Sequence, residues 1–428
     1  MNTSSFSDRD TAHIWHPFTP QVGIEQNIAI VRGEGSLLFD EAGTSYIDAI
    51  SSWWVNLHGH CNPYISERIK YQLDQLEHVL FSGYTHEPAI LLAEKLKALL
   101  PAMDKVFYSD DGSTSVEVAL KMTFQYWHNL GKPRTKVIAF ASAYHGDTFG
   151  SMSVGARNVF NNAFEPMLFD VVHIPVPVKG REQESLSALK SAIDENTAAF
   201  IFEPLVQGAA GMIMYDAAAL DQLLHVCEQF EVITIADEVM TGFGRTGKMF
   251  ATDYCTNKPD IICLSKGITG GFMPLGATMC TAKIYEAYRT SDRTKTFFHG
   301  HSYTANPLAC ASAIASLEWF GKGDVMNMIE QISATMHEAR TNFSAHSAVA
   351  DARCMGTILA IEIKTPEQNG YLNAVGEIVA QFFQERGIII RPLGNVVYCI
   401  PPYCITDGEL KIIFTAIEEF LSAYSIRE

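Results

Sequence analysis

The sequence has no apolar run long enough to cross a bilayer, and Met1 to Asp10 is polar, with no apolar signal-peptide core. A cytoplasmic protein is expected. No two of the nine cysteines form a Cys-x-x-Cys pair, and Cys227, Cys263 and Cys310 sit inside apolar segments. Reduced core thiols are therefore expected, and a structural zinc site is not. Basic residues are scarce: 31 Lys and Arg stand against 48 Asp and Glu, a net charge of −17. That balance argues against non-specific nucleic-acid binding or an anionic membrane surface. Internal repeats and low-complexity segments are also missing. What remains is a chain of 428 residues, 47% hydrophobic and 18% charged, enough for one large globular domain and a smaller one.

Residues 1 to about 30 read as irregular and aromatic-rich. Short strands or a hairpin are expected over Ser36–Phe39 and Ser45–Ile50, with a turn near Glu41–Gly43. Beyond Asn62 helix-like and strand-like segments alternate, with strands predicted at Val106–Ser109, Lys136–Phe140, Val171–Ile174, Ala198–Phe202, Val232–Ala236 and Ile261–Leu264. Val116, Ala119, Leu120, Thr123, Phe124 and Trp127 recur at helical spacing. The class is α/β: right-handed βαβ units around a large, mostly parallel sheet. After a helix near Asn306–Phe320 the pattern shifts, which suggests a smaller α+β domain over 326–428 behind a large domain over 56–325. Residues 1–55 are expected to pack with the small domain.

Three of these apolar runs end in ionisable groups. Ile261–Leu264 leads to Lys266, Val232–Ala236 to Asp237, and Ala198–Phe202 to Glu203. In an open α/β sheet ligands bind beyond the carboxyl ends of the strands, so all three should meet at one edge. A lone strand-end lysine reads more simply as a surface residue opening a loop. An ammonium at the end of a dry strand, however, is costly unless paired, neutralised or made covalent, and a desolvated lysine is the usual source of a Schiff-base nucleophile. A lysine opposed by an acid is what pyridoxal 5′-phosphate requires: one holds the aldehyde, the other the ring-nitrogen proton.

Other segments add to this. Tyr108–Ser115 joins a strand to the amphipathic helix, and its free amides make a phosphate cradle at Gly112, with the Ser113 and Thr114 hydroxyls as further donors, unless this is an ordinary helix cap. Tyr144-His145-Gly146-Asp147-Thr148 should emerge on the same edge, where an aromatic could stack on a ring. Thr241–Gly247 is glycine-dense and must pass close to a ligand or another backbone; its Arg245 either organises the site through carboxylates or makes a structural salt bridge. Arg391 ends another apolar run and suits a carboxylate, from substrate or protein. In an extended segment Trp53 and Trp54 would face opposite ways, so one lines a pocket and the other packs.

These residues carry a resemblance. Ala236-Asp237-Glu238-Val239, the Thr241–Gly247 loop, Lys266–Gly271 and Asn306-Pro307-Leu308-Ala309 resemble the class III aminotransferases of pyridoxal-phosphate fold type I, over essentially the whole chain. His13–Thr19, Ser51–Trp54, Tyr144–Thr148 and Arg391–Gly394 are similar to the members that serve biotin biosynthesis. The resemblance implies a ping-pong transamination from S-adenosylmethionine to 8-amino-7-oxononanoate, giving 7,8-diaminononanoate. It implies that Lys266 holds the cofactor, Asp237 pairs with its ring nitrogen, Gly112 and Ser113 hold the phosphate and Tyr144 stacks on the ring. Phe18, Trp53, Trp54, Gly300 and Arg391 would contact substrate, the arginine through a carboxylate. It further implies a homodimer with shared sites, in which Gly300, His301 and Ser302 reach the second copy's cofactor. Two positions depart from the pattern: Phe18 stands where the family often has tyrosine, and Ser302 where it often has threonine. The alternative is a related transaminase using 4-aminobutyrate, ornithine or lysine, or an aminomutase. A cofactor-binding sensor is disfavoured by the absence of any attached DNA-binding module.

Overall fold

The computed structural model describes residues 5–22, 27–366 and 370–425. Strands Thr197–Phe202 and Ile261–Leu264 are buried along their whole length, as continuous apolar runs require when helices cover both faces of a parallel sheet. Side chains alternate between two cores: Ile138, Phe140, Phe200, Phe202, Ile262 and Leu264 enter one, and Val137, Ala139, Ala199, Ile201, Ile261 and Cys263 the other. The seven-stranded sheet runs Lys105–Ser109, Gly276–Cys280, Ile261–Leu264, Ile233–Asp237, Thr197–Phe202, Lys136–Phe140, Val171–Ile174. Gly276–Cys280 alone runs opposite to the other six strands. The six predicted strands are all present, displaced at their ends by at most one residue. Gly276–Cys280 escapes the sequence pattern, because Gly-Ala-Thr-Met-Cys carries no β-branched run.

Helix Gly112–Asn129 buries Val116, Ala119, Leu120, Thr123 and Trp127, while Phe124 is only partly covered. A second, antiparallel sheet of Val349–Met355, Ile358–Ile363 and Val396–Cys399 packs against helix Val325–Phe343. Ile388–Ile389 pairs in parallel with Ser45–Asp48, joining the late chain to a sheet completed by Ile30–Glu34 and Leu37–Asp40. Among the described residues no helix is long and apolar enough to cross a membrane.

Two local expectations need correction. Phe6–His13 is a helix rather than irregular chain: Ser5 and Asp8 form a capping box, but no residue of the helix is buried, so no apolar stripe marks it. The Ser51–Trp54 segment is not extended. All four residues have positive φ, at 50°, 52°, 93° and 72°, a conformation costly for side-chain-bearing residues. Asp48 holds it by accepting the Ser52 amide at 2.9 Å and its hydroxyl at 2.8 Å. The tryptophans still part company, Trp53 being 37% exposed and Trp54 5%.

His58 sits behind this turn, with Nε2 hydrogen-bonded to Ser316 Oγ at 3.0 Å, and a Cβ on Gly270 would come within 3.0 Å of its ring. Burial, with Arg245 nearby, holds the imidazole down from 6.5 to about 3. Between those values the folded protein binds fewer protons than the unfolded chain, so stability falls as pH drops through that window. We expect this one residue to cost about 2 kcal/mol by pH 5. His58→Gln, which can keep the Ser316 bond, should lose less melting temperature between pH 7 and pH 5 than the wild type; equal losses would refute it.

Candidate active site

The carboxyl edge of the large sheet opens into a cavity of about 670 Å³, whose walls include Trp54, Gly112, Ser113, Tyr144, Asp237 and Lys266. Glu203 and Val239 also line it. Lys266 leaves strand Ile261–Leu264 with φ 44°, a left-handed backbone of the kind retained at functional sites. Its Nζ lies 4.8 Å from the centre of the Trp54 ring, and among the described residues no carboxylate is within ion-pair distance of it. Burial lowers the amine's pKa, opposed by Asp237 and Glu203, so the neutral, nucleophilic form is favoured relative to a free lysine.

Asp237 ends strand Ile233–Asp237 and is 5% exposed. Its Oδ1 accepts the Val239 amide at 3.1 Å and its Oδ2 meets His145 Nδ1 at 2.7 Å. His145 Nε2 is buried with no partner, so the proton belongs on Nδ1, facing the acid. Glu203 accepts the amides of Tyr144 at 3.1 Å and Gly208 at 2.9 Å. Burial pushes its carboxyl up to about 7, with His145 opposing and Asp237 reinforcing. The Tyr144 phenol is raised by burial and by Asp147 beside it.

The start of helix Gly112–Asn129 forms the anion cradle. Asp111 caps it, accepting the Thr114 amide at 2.8 Å, while Thr114 Oγ1 accepts the Asp111 amide at 3.1 Å and donates to the Asp111 carbonyl at 3.0 Å. The Thr114 hydroxyl is thus consumed by the cap and is not a free phosphate donor. Asp111 turns its carboxylate into that cap, away from an incoming anion. The first two helical amides, of Gly112 and Ser113, lack intrahelical acceptors, and both residues line the cavity. A Cβ on Gly112 would lie 2.6 Å from Val239 Cγ1, and one on Gly146 2.3 Å from Ser113 Oγ, so glycine alone permits this close closure. Ser113 Oγ accepts the Thr148 amide at 3.0 Å. A lysine, a buried acid, a flat tyrosine and an amide cradle around one cavity fit pyridoxal phosphate.

Phe18, Trp53 and Arg391 lie apart from these walls as a second group. Phe18 packs edge-on against Trp53 at 5.5 Å, and the Arg391 guanidinium stacks on Trp53 at 4.9 Å. One Arg391 nitrogen donates to the Phe18 carbonyl at 3.2 Å and to the Tyr371 hydroxyl at 3.1 Å. Among the described residues no carboxylate pairs with it. Gly300, His301 and Ser302 are exposed and do not line this chain's own cavity; His301 Nδ1 stands 3.4 Å from Asp110 Oδ2. Arg245 meets no carboxylate among the described residues. Its guanidinium donates to the carbonyls of Pro401 at 2.7 Å and Asn56 at 3.3 Å, a structural role without the salt bridge. The glycine loop approaches protein rather than ligand: a Cβ on Gly244 would come within 2.4 Å of Ile329. The segment holding His145 is at the edge expected for it, but its bond to Asp237 escaped sequence reasoning, since the two stand 92 residues apart.

The aminotransferase class-III family model matches residues 21–421. An adenosylmethionine-8-amino-7-oxononanoate aminotransferase from Synechococcus elongatus is 46% identical over 419 residues, covering 96% of this chain and 98% of its own length. The crystal structure of the Methanocaldococcus jannaschii protein of the same name superposes with a TM-score of 0.91 at 39% identity, covering 96% of this chain and 98% of that one. A PLP-bound amine transaminase from an uncultivated Pseudomonas species superposes at 0.90 with 30% identity, over 95% of this chain and 97% of that one. With a match this long, and a lysine and an acid meeting in one buried cavity, the chain belongs to the class III aminotransferases.

Proposed function

We propose that this protein transfers an amino group from S-adenosylmethionine to 8-amino-7-oxononanoate, giving 7,8-diaminononanoate in a ping-pong sequence. The observation that carries this reading is full-length identity of 46% and 40% to adenosylmethionine-8-amino-7-oxononanoate aminotransferases, on a chain whose Lys266 and Asp237 line one cavity. Pyridoxal phosphate, when bound, supplies an aldehyde and an electron-accepting pyridine ring. Lys266 would hold that aldehyde, and its amine is placed to carry a proton from the substrate α-carbon. Asp237 holds the proton on the ring nitrogen, and His145 orients Asp237. The Gly112 and Ser113 amides take the phosphate with the helix dipole behind them. Tyr144 offers its face to the ring, and Trp54 closes the apolar side beside the lysine. Phe18 and Trp53 wall the substrate's path, and Arg391 takes the oxo acid's carboxylate. In a homodimer, Gly300, His301 and Ser302 of one copy complete the phosphate site of the other.

The test is a half-reaction. Holoprotein is mixed separately with S-adenosylmethionine, lysine and 4-aminobutyrate, and its visible absorption followed. Loss of the band with S-adenosylmethionine is expected; a response to 4-aminobutyrate alone would overturn the assignment. Arg391→Ala should lower kcat/KM for the oxo acid by roughly 10- to 100-fold, the worth of a charged hydrogen-bond pair. A donor that does not use this contact should suffer less. Equal losses would mean that Arg391 merely braces Phe18, Trp53 and Tyr371.

A further inference from the structure

Asp48 is wholly buried, yet it does not line the cavity around Lys266. Among the described residues no lysine or arginine pairs with it; its ion-pair partner is His60. A buried carboxylate is costly unless its oxygens are filled, and here they are. Oδ1 accepts the amides of Ile50 at 3.3 Å and Ser52 at 2.9 Å. Oδ2 accepts the Ser52 hydroxyl at 2.8 Å and His60 Nε2 at 2.9 Å. A carboxylate only accepts, so the His60 Nε2 proton points at Asp48.

His60 is itself held in place. Its amide donates to the Gly35 carbonyl at 2.7 Å, and its carbonyl accepts the Gly35 amide at 3.2 Å. Its Nδ1 lies 3.0 Å from the Asn56 side-chain nitrogen. Asn56 is also the residue whose carbonyl takes Arg245, which ties the glycine-dense loop to the same network.

The two tryptophans depend on this network unequally. Trp54 has anchors of its own: its amide donates to the Ile50 carbonyl at 2.9 Å and its indole nitrogen to the Tyr398 hydroxyl at 3.1 Å. Trp53 follows Ser52 directly and has φ 93°, a strained backbone that must be held from outside. Its indole makes no hydrogen bond among the described residues, so its aim is set by the turn beneath it and by its contacts with Phe18 and Arg391. Arg391 belongs to the same frame. Asp48 pairs with Ile389 in the sheet, and the Ala49 amide donates to the Ile389 carbonyl at 3.2 Å.

We propose that Asp48 and His60 are positioning residues for the substrate site, locking the left-handed turn at Ser52 so that Trp53 stands against Arg391. This rests on Trp53 and Arg391 meeting the oxo acid. For the His60→Ala holoenzyme we expect KM for 8-amino-7-oxononanoate to rise roughly fivefold, the worth of one buried hydrogen bond. Both kcat and the pyridoxal phosphate dissociation constant should stay within about twofold, because no reacting group is touched. His60→Gln keeps an N–H for Asp48 and should recover most of the loss. In a Trp53→Ala background His60→Ala should add less than about twofold, since the side chain it aims is gone. An unchanged KM, an equal rise in both backgrounds, or an equal rise in the cofactor dissociation constant would overturn the inference. Should His60→Ala fail to fold, Ser52→Ala, at an exposed position, removes one of the same bonds and carries the same comparison. Near-UV circular dichroism separates this inference from the proposed function. The Trp53 contribution, read as the difference from Trp53→Phe, should shrink in His60→Ala whatever the substrate, and an unchanged contribution would overturn the positioning role. A wild type that turns over no 8-amino-7-oxononanoate would overturn the function alone, and the dichroism would still decide the positioning.

Discussion

Lys266→Ala should lower turnover by roughly 10⁴-fold, since the same amine is both nucleophile and proton carrier. Its effect on stability should run the other way. The wild-type amine is buried and its pKa lies below 10.5, so below 10.5 the folded protein binds fewer protons than the unfolded chain. Wild-type stability therefore rises with pH up to that value. Alanine removes this contribution. The apo variant should match or exceed the wild type in melting temperature at pH 6, with the advantage shrinking as pH approaches 10.5. Both residues would occupy the same left-handed backbone, φ 44°, so backbone strain cancels in the comparison. Turnover by Lys266→Ala within tenfold of wild type would remove the lysine from the chemistry. A large loss of stability at pH 6 would make it a structural residue instead.

The sheet and its site edge were legible because burial on both faces writes itself into the sequence as uninterrupted apolar runs. Ile261–Leu264 and Ala198–Phe202 could be read directly, and the ionisable residue just past each run, Lys266 or Glu203, inherits its position from the strand. The amphipathic helix from Gly112 was legible for the same reason, its stripe marking the core side. Features that depend on distant partners were not. The left-handed turn at Ser51–Trp54 exists because Asp48 and the Ile400 carbonyl hold it, and no local propensity predicts four positive φ values in Ser-Ser-Trp-Trp. The consumption of the Thr114 hydroxyl by a capping box was open to sequence reasoning, since Asp111 and Thr114 stand three apart, but the same spacing serves a phosphate loop. Arg245 shows the limit most clearly. Its charge suggested carboxylates, whereas the fold surrounds it with carbonyls of Asn56 and Pro401, groups that every residue possesses and no motif announces.

Asp237→Asn should cost turnover roughly 10³-fold, comparable to losing one preorganised electrostatic contact at a reacting centre, because an amide cannot retain a proton on the ring nitrogen. The geometry adds a second consequence. Each carboxylate oxygen of Asp237 already accepts one hydrogen bond, from Val239 and from His145. Asparagine has one acceptor end, so its NH₂ must face either the Val239 amide or the imidazole. If it faces His145, the ring must move its proton to Nε2, where no acceptor is present. Either arrangement strands a buried donor, at about 1–3 kcal/mol, and thermal melts should register that cost. His145→Ala in the wild-type background should lose roughly tenfold, since the histidine acts through the acid and touches no reacting atom. In the Asp237→Asn background the same substitution should lower turnover little further, because the contact it supported is already gone. Equal penalties in the two backgrounds would show instead that His145 serves the reaction independently of Asp237.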